Sequence, residues 1–309
     1  MNYLVTGAAG FIGAAVVRKL LEEGNTCTTI DNLSTGKAEN VPDGCKLIVG
    51  DVFDSEIINQ LESEKYDAII HIAGQSSGEI SFEKPIYDLQ TNTQSTVLLL
   101  KFAEKTGCKK FIFASSMSVY GDHNPPCCVE TTDTVPKSFY AVGKLASENY
   151  MRIFSKQGIA CTALRFFNVY GIGQNLTNLK QGMASIYLSM AIANHDIVVK
   201  GSKDRFRDFV YIDDVVDAVV RCIEITDGFN VYNVCTGVGT TVETVIDTIK
   251  RELPYDITVS YAENTPGDQF GIYGDYSSIR KSLGWTPKVS FDEGMKRMIS
   301  WARIAMNDI

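Results

Sequence analysis

The sequence predicts an α/β protein with a Rossmann-like, doubly wound parallel sheet and a smaller C-terminal α/β region. Short apolar runs alternate with longer amphipathic segments through the first half of the 309-residue chain. These runs lack the polar alternation of half-exposed strands, so we expect strands buried on both faces. A glycine-rich turn follows the first run, as is typical of the first strand–helix connection of this fold.

The individual elements follow from the local pattern of apolar and turn-forming residues. The first strand is predicted in "YLVT" and the first helix in "GFIGAAVVRKLLEEG", which ends at Gly24. Further strands are predicted in "TCTTID", "CKLIVGD", "YDAIIHIA", "KKFIFAS" and "ACTALRFF", and helices in "SEIINQLESEK", "YDLQTNTQSTVLLLKFAEKTG" and "FYAVGKLASENYMRIFSKQG".

This rhythm changes after Phe167, where a polar, glycine-rich stretch, "NVYGIGQNLTNLKQGM", begins. Beyond it, "RDFVYIDDVVDAVVRCIE" predicts one more strand and helix. We therefore predict a Rossmann domain over residues 1–167, to which residues from about 208–236 return, and a mainly substrate-binding region over 168–309.

Composition and charge exclude several classes of function. The net charge of −8 argues against a nucleic-acid partner, which would require a basic surface. No apolar run reaches the roughly 18 residues of a membrane helix. Eight cysteines without a C-x-x-C pair predict reduced thiols in a cytoplasmic protein. Three well-separated histidines predict that there is no metal site.

The turn "TGAAGFIG" places Gly7, Gly10 and Gly13 between the first strand and the first helix. Glycines there allow a backbone to approach a pyrophosphate, which the free N–H groups of the helix bind. Asp31 ends the second strand, 18 residues after Gly13. A carboxylate at this spacing accepts hydrogen bonds from an adenosine ribose and repels a 2′-phosphate, so it favours NAD over NADP.

A second candidate site combines "ASSMSVYGD" with "SFYAVGKLASENY" downstream. Tyr140 and Lys144 are four residues apart on a predicted helix and therefore share one face. The pKa of a free tyrosine is about 10, and a neighbouring ammonium favours the phenolate. We therefore predict Tyr140 as a general base, Lys144 as the group that lowers its pKa, and Ser116 as a proton relay.

Motifs along nearly the whole chain resemble those of the extended short-chain dehydrogenases/reductases, in particular the NAD-dependent nucleotide-sugar epimerases and dehydratases. The motifs are "TGAAGFIG", "DNLSTG", "GDVFD", "HIAGQ", "SSMSVYG", "YAVGK", "LRFFNVYG" and "RDFVYIDD".

The resemblance implies NAD as cofactor, a nucleotide sugar as substrate, and Ser116, Tyr140 and Lys144 as the catalytic trio. It also implies a homodimer formed through the helices of "QSTVLLLKFAEKT" and "GKLASENYMRIF". The implied cofactor-binding residues are Gly7, Gly10, Phe11, Ile12, Gly13, Asp31, Asn32, Asp51, Val52, Ala73, Gly74, Asn92 and Lys144, and the implied substrate-binding residues are Ser116, Tyr140, Asn168, Arg207 and Asp268.

Two residues of the serine-rich motif separate the reactions of this family. The 4,6-dehydratases of this family carry Asp and Glu at the positions where this chain has Met117 and Ser118. Methionine transfers no proton and serine is a poor unaided acid or base, so elimination lacks its catalysts. This favours C4 epimerisation of a UDP-hexose or UDP-N-acetylhexosamine through a transient 4-keto intermediate. A 2-epimerase, a 4-keto-sugar reductase, a 4,6-dehydratase and a non-catalytic NAD-binding regulator remain as alternatives.

The predicted phosphate contacts differ from the family pattern at one position. Arg207 matches a phosphate-binding arginine, a role that its planar fork of donors suits. Thr265, however, stands where the family often has a second arginine. The pocket is therefore predicted to have one fewer positive charge, for which Arg205 or Lys180 could compensate.

Overall fold

The structure, a computed structural model, describes residues 1–61, 63–180, 182–263 and 270–307. Strand and helix alternate through the first half of the chain, as the apolar runs predict. The strands, numbered in chain order, are β1 (Asn2–Thr6), β2 (Thr26–Asp31), β3 (Cys45–Val49), β4 (Ala68–His71), β5 (Lys110–Ser116), β6 (Cys127–Cys128), β7 (Ala160–Phe166), β8 (Asn168–Tyr170), β9 (Asp196–Lys200), β10 (Phe206–Arg207), β11 (Phe209–Tyr211), β12 (Phe229–Val234), β13 (Thr240–Thr241), β14 (Thr258–Ala262) and β15 (Tyr273–Gly274).

Several helices begin directly after a glycine or a hydroxyl-bearing residue, as α1 does after Gly10 and α6 after Ser138. None of the described helices has the length and apolar character needed to cross a bilayer. They are α1 (Phe11–Glu22), α2 (Ser55–Asn59), α3 (Gly78–Glu83), α4 (Pro85–Leu89), α5 (Ser95–Thr106), α6 (Phe139–Ser155), α7 (Met183–Asn194), α8 (Ile212–Arg221), α9 (Val242–Glu252), α10 (Ser277–Leu283) and α11 (Phe291–Asn307).

Within the described residues the central sheet contains seven strands in the order β12-β7-β5-β4-β1-β2-β3, all parallel. The predicted Rossmann-like fold class is therefore confirmed. The strand order reverses between β1 and β4, and such a switch point opens a crevice at the carboxyl ends of the strands. The last strand, β12, pairs with β7, so a segment from beyond residue 167 lies in the main sheet.

Helices cover both faces of the central sheet, which explains why its strands are apolar without alternation. Val5 of β1 lies in a buried cluster with Val16 of α1 and Val219 of α8. The preceding residue, Leu4, lies in a second cluster with Leu99 of α5 and Met151 of α6. Successive strand residues therefore pack against different helix layers.

The remaining strands form short pairs beside the sheet: β8 with β11 and β9 with β14 are parallel, β6 with β15 is parallel, and β10 with β13 is antiparallel. The pairing of β8 with β11 places Asn168 opposite Phe209, two residues after Arg207. These pairs bring predicted substrate-binding residues of distant sequence to one side of the crevice.

Two predicted helices differ from the structure. The helix expected over "SEIINQLESEK" ends at Asn59. Beyond it the amides of Gln60 and Leu61 bond to carbonyl oxygens three residues earlier, as in a turn, and Leu61 is completely buried. The long helix that ends at Gly107 contains a π-helical turn, Gln90–Gln94, between α4 and α5. This turn lies next to the candidate site, as π turns frequently do.

Candidate active site

The glycine-rich turn brings three backbone segments closer than side chains would allow. Gly7 has φ +81°, and a Cβ on it would lie 2.8 Å from the nitrogen of Ala73. A Cβ on Gly13 would lie 2.1 Å from the carbonyl oxygen of Gly7. Within the described structure no side chain caps α1 at Gly10. The first amides of α1 are therefore available to a phosphate group.

Asp31 is almost completely buried at the end of β2. Its carboxylate accepts hydrogen bonds from the amides of Ala9, at 2.9 Å, and Leu33, at 2.8 Å. Asp31 therefore braces the glycine-rich turn as well as placing a negative charge at the end of β2. Next to it, the side-chain amide of Asn32 donates to the carboxylate of Asp51 at 2.5 Å. These contacts give the predicted ribose-binding edge a defined geometry.

The predicted cofactor and substrate residues lie where parallel strands end, at one edge of the sheet. Gly7 follows β1, Asp51 and Val52 follow β3, and Ser116 is the last residue of β5. The other members of the predicted set at this edge are Asp31 and Asn32 at the end of β2, Ala73 and Gly74 after β4, Asn168 after β7, and Gly10, Phe11, Ile12 and Gly13 at the start of α1.

The structure brings Ser116, Tyr140 and Lys144 together. Tyr140 and Lys144 lie in the first turns of α6, whose N-terminus is capped by the hydroxyl of Ser138 accepting from Ala141. Ser116 lies near enough to Tyr140 to lower the pKa of its phenol. The Nζ atom of Lys144 lies 5.7 Å from the centre of the Tyr140 ring. All three side chains are at least nine-tenths buried.

Burial sets the protonation of this trio in the protein alone. It raises the pKa of Tyr140 to about 12, although the nearby Ser116 opposes this and Asp88 adds to it. Burial likewise lowers the pKa of Lys144 to about 8, against the opposing effects of Asp88 and Glu148. The predicted decrease in the Tyr140 pKa is therefore not seen in the protein alone, because desolvation is the largest effect on it and Lys144 is not among the groups that lower it. A cationic ligand ring in the crevice would supply the missing positive charge.

Asn92 provides a test of whether NAD fits this crevice. Its Oδ1 atom is buried and is unpaired among the described residues. A Cβ on Gly74 would lie 2.5 Å from this oxygen and 3.4 Å from Nζ of Lys144. The crevice thus presents an unused acceptor and a cation side by side, a combination that suits an amide and a ribose hydroxyl. The residues fit the nicotinamide end of NAD.

The two positions that distinguish dehydratases carry no carboxylate in the folded site. Ser116 donates to Ser118 Oγ at 3.1 Å and accepts from the Ser118 amide at 3.2 Å. Met117 is buried, and its sulfur accepts from the side-chain amide of Asn168 at 3.8 Å. Met117 and Ser118 therefore contact predicted substrate residues without supplying an acid or a base.

On the substrate side, Arg207 is buried and its Nη1 atom donates to the carbonyl oxygens of Phe206, at 2.8 Å, and Phe270, at 3.2 Å. The side-chain amide of Asn168 also reaches the carbonyl oxygen of Asp208, at 3.4 Å. Asn168 is thereby held beside Asp208, the residue that follows Arg207. Asp268 and Thr265, which were also predicted to matter here, lie outside the described residues.

The two residues predicted to compensate for Thr265 have other partners. Arg205 is buried and donates to the carbonyl oxygens of Lys200 and Ser202. Lys180 is half exposed and pairs with Glu83 at 3.2 Å. Both side chains are thus already held by partners in the protein, and neither contact supports a role in binding the diphosphate.

Sequence reasoning missed a buried ion pair directly behind the trio. Glu148, one turn after Lys144, accepts from Arg165 at 2.7 Å and 3.0 Å and from the hydroxyl of Ser115 at 2.6 Å. Glu148 continues the helical spacing of Tyr140 and Lys144, and this spacing is the signal that could have revealed it. No group of three or more potential metal ligands occurs in the described ranges.

A family model described as the NAD dependent epimerase/dehydratase family matches residues 3–235. The chain belongs to this family. This membership confirms the resemblance drawn from the motifs and the prediction of NAD as cofactor. The family assignment also accounts for the glycine-rich turn, the acidic end of β2 and the serine–tyrosine–lysine trio on one sheet edge.

Relatives of this family member align along its full length. UDP-glucose 4-epimerase of Mycolicibacterium smegmatis is 32% identical over 312 residues, covering 98% of this chain and 99% of the relative. The structure of UDP-glucose 4-epimerase with UDP-glucose from Thermotoga maritima has a TM-score of 0.94 and 35% identity, covering 99% and 100% of the two chains. The UDP-N-acetylglucosamine 4-epimerase from Methanobrevibacter ruminantium has a TM-score of 0.92 and 29% identity, covering 99% and 98%.

Proposed function

We propose that the protein is an NAD-dependent 4-epimerase of a nucleotide-activated sugar, of the UDP-hexose or UDP-N-acetylhexosamine type. The observation that carries this proposal is that Ser116, Tyr140 and Lys144 are buried together, at a site where Met117 and Ser118 replace the carboxylates of a dehydratase. The names of the relatives support it, because they describe UDP-sugar 4-epimerases.

NAD would be held by the glycine-rich turn, Asp31, Asn92 and Lys144, with the other predicted cofactor residues around them. When bound, NAD would supply the acceptor for the hydride of C4 and, once reduced, the donor that returns the hydride to the opposite face of the sugar. Tyr140 removes the proton of the C4 hydroxyl, either directly or through Ser116, and gives it back when the alcohol reforms. Lys144 holds positive charge near the phenolate, and the buried site excludes water from the 4-keto sugar.

Asn168, Arg207 and Asp268 form the proposed substrate side of the crevice. Arg207 suits the diphosphate because its guanidinium can bind phosphate oxygens bidentately. In this proposal residues 1–167, with the segment from about 208–236 that includes β12, form the NAD-binding domain. Residues 168–309 form mainly the substrate-binding region.

In this proposal the homodimer forms through α6, as the sequence predicts, together with α3 and α4. The exposed residues of α5 are Lys101, Glu104 and Lys105, while its Val97 and Leu98 are half-buried. The exposed apolar side chains lie instead on α3, α4 and α6, and Phe82 packs edge-on against Phe139 with ring centres 5.4 Å apart. A patch of this kind marks an interaction surface. Its members are Phe82, Ile86, Leu89, Phe139, Val142, Tyr150 and Ile153.

The dimer is tested by light scattering coupled to gel filtration. The wild-type chain of 34.0 kDa is expected to elute at twice that mass. Ile153→Glu is expected to halve the mass, while Lys101→Glu on α5 leaves it unchanged. A monomeric wild type would overturn the assignment.

We also propose a cytoplasmic location, which the eight free cysteines support.

The reaction is tested by incubating the purified protein with UDP-glucose, UDP-N-acetylglucosamine and their C4 epimers, without added cofactor. Inversion at C4, followed by NMR, is the expected result. Turnover only after addition of NADH or NADPH would identify a reductase. Formation of a 4-keto-6-deoxy sugar would identify a dehydratase and overturn the argument from Met117 and Ser118. Inversion at C2 would identify a 2-epimerase.

A further inference from the structure

A buried carboxylate beside the active site has no part in the reaction described above. Asp88, on α4, is only 2% exposed and lies one turn before Asn92. Its Oδ1 atom accepts two hydrogen bonds, from Nε2 of Gln75 at 2.8 Å and from Nδ2 of Asn92 at 3.1 Å. A buried carboxylate is costly unless it is paired in this way, so its presence calls for an explanation.

These contacts determine which way the Asn92 amide points. Nδ2 of Asn92 also donates to the main-chain carbonyl oxygen of Gln75 at 2.8 Å, so both of its hydrogens are used. A flipped amide would place Oδ1 against a carboxylate and a carbonyl oxygen, which are both acceptors. Only one orientation is therefore allowed, and it directs the unpaired Oδ1 towards Gly74 and Lys144.

The backbone of the same turn is held independently by α6. The hydroxyl of Ser147 donates to the carbonyl oxygen of Asn92 at 2.7 Å, and the hydroxyl of Thr93 donates to that of Gly143 at 3.1 Å. A Cβ on Gly143 would lie 3.3 Å from Cβ of Asn92, so a glycine allows this close approach. The position of Asn92 and the orientation of its amide thus depend on separate contacts.

We propose that Asp88 is a positioning residue that fixes the Asn92 amide so that its Oδ1 faces the nicotinamide end of NAD. An acceptor aimed into a crevice costs free energy in the empty protein and recovers it when a ligand donor arrives. Asp88 therefore acts through Asn92 and touches neither substrate nor cofactor. This inference rests on the cofactor site of the proposed function, in which Asn92 lies near the nicotinamide.

Two substitutions separate orientation from the simple filling of space. The asparagine introduced by Asp88→Asn can keep the hydrogen bonds from Gln75 and Asn92, because a single oxygen, Oδ1, accepts both of them. Asp88→Leu removes both acceptor contacts and frees the Asn92 amide to rotate. Binding of NAD to cofactor-stripped protein is measured by calorimetry without any sugar, together with the NAD content of the purified protein.

We expect Asp88→Asn to bind NAD within about threefold of wild type and Asp88→Leu to bind it at least about tenfold more weakly, a loss typical of one hydrogen bond to a charged or oriented group. Ser147→Ala is the matched control: it removes one buried hydrogen bond to the carbonyl oxygen of Asn92, which Thr96 also holds at 2.9 Å, and it leaves the amide contacts intact. We expect this control to bind NAD within about threefold of wild type.

Unchanged NAD binding by Asp88→Leu would overturn the inference, as would an equal loss in Asp88→Asn and Asp88→Leu. If Asp88→Leu fails to fold, Asp88→Ser replaces it, since serine is too short to reach the Asn92 amide, and the same criteria apply. The experiment contains no substrate, so its outcome is independent of whether the enzyme inverts C4. A wild type that epimerises sugars while Asp88→Leu binds NAD normally would refute this inference alone.

Discussion

The Nζ atom of Lys144 donates a hydrogen bond to the carbonyl oxygen of Ala114 at 2.8 Å. This contact ties the first turns of α6 to the end of β5, two residues before Ser116. It leaves the ammonium 5.7 Å from the centre of the Tyr140 ring. Lys144 therefore fixes the position of α6 relative to β5, in addition to placing a positive charge in the crevice.

Tyr140→Phe is expected to reduce the rate of C4 inversion by at least about 100-fold, because it removes the general base. The variant should retain NAD, since the ring and its packing remain. Initial rates by NMR and NAD content by chromatography test both statements. Tyr150→Phe, an exposed tyrosine on the same helix, is the control and should keep the wild-type rate. A fully active Tyr140→Phe would remove Tyr140 from the mechanism.

Gly13→Ala is expected to destabilise the protein by about 1–3 kcal/mol and to abolish NAD binding. The added methyl would lie 2.1 Å from the carbonyl oxygen of Gly7 and would push the glycine-rich turn open. Thermal unfolding and NAD calorimetry measure the two effects. Gly78→Ala, in the first turn of α3, is a suitable control, since the atom nearest to its Cβ would be Cβ of Ser138, at 3.9 Å. Wild-type NAD affinity in Gly13→Ala would contradict the prediction.

Glu148→Ala is expected to lower the free energy of unfolding by about 3–5 kcal/mol, because it leaves the buried guanidinium of Arg165 without a counter-ion. The double variant Glu148→Leu/Arg165→Met removes both charges and should recover most of that loss. Urea unfolding of the single and double variants provides the comparison. A single variant that loses under about 1 kcal/mol would show that water or another group compensates Arg165.

His71 makes the stability of the native state depend on pH. It is fully buried between the hydroxyls of Thr6, at 2.8 Å, and Ser95, at 3.1 Å, and burial lowers its pKa from 6.5 to about 3. Because the pKa is lower in the folded protein, the unfolded chain binds the extra proton below about pH 6.5. The stability contributed by neutral His71 is therefore complete above that pH and is lost as the pH falls towards 3.

The expected slope from this one proton is about 1.4 kcal/mol per pH unit between roughly pH 6 and 4. His71→Gln keeps polar atoms for both hydroxyls but does not titrate. Its unfolding free energy should accordingly fall less steeply over that range, by about this amount. Parallel slopes for the two proteins, measured by urea unfolding at several pH values, would refute the role of His71.

Local sequence patterns predicted the features that depend on neighbours along the chain. The strand–glycine–helix connection at Gly7 to Gly13 and the shared helix face of Tyr140 and Lys144 both arise from spacing alone. Parallel topology then required the strand ends, from Asp31 to Ser116, to lie on one edge. The fold class and the family predicted on this basis are confirmed.

Properties that depend on partners distant in sequence could not be predicted in this way. The helix expected beyond Asn59 stops at that residue, because Leu61 is completely buried in the core. The apolar surface proposed for dimerisation adds α3 and α4 to the predicted α6, because Leu99, Leu100 and Phe102 of α5 are buried in the core. Burial, which no local pattern reports, reverses the expected direction of the Tyr140 pKa shift in the protein alone.

The sequence by itself therefore determined the α/β class, the family and the dinucleotide type, and it predicted the residues of the proposed trio, since each of these follows from residue type and spacing. Only the tertiary structure decided the orientation of the Asn92 amide, the carboxylate of Asp88 behind it and the pairing of Glu148 with Arg165. These depend on hydrogen bonds and desolvation between segments that meet only when the chain folds.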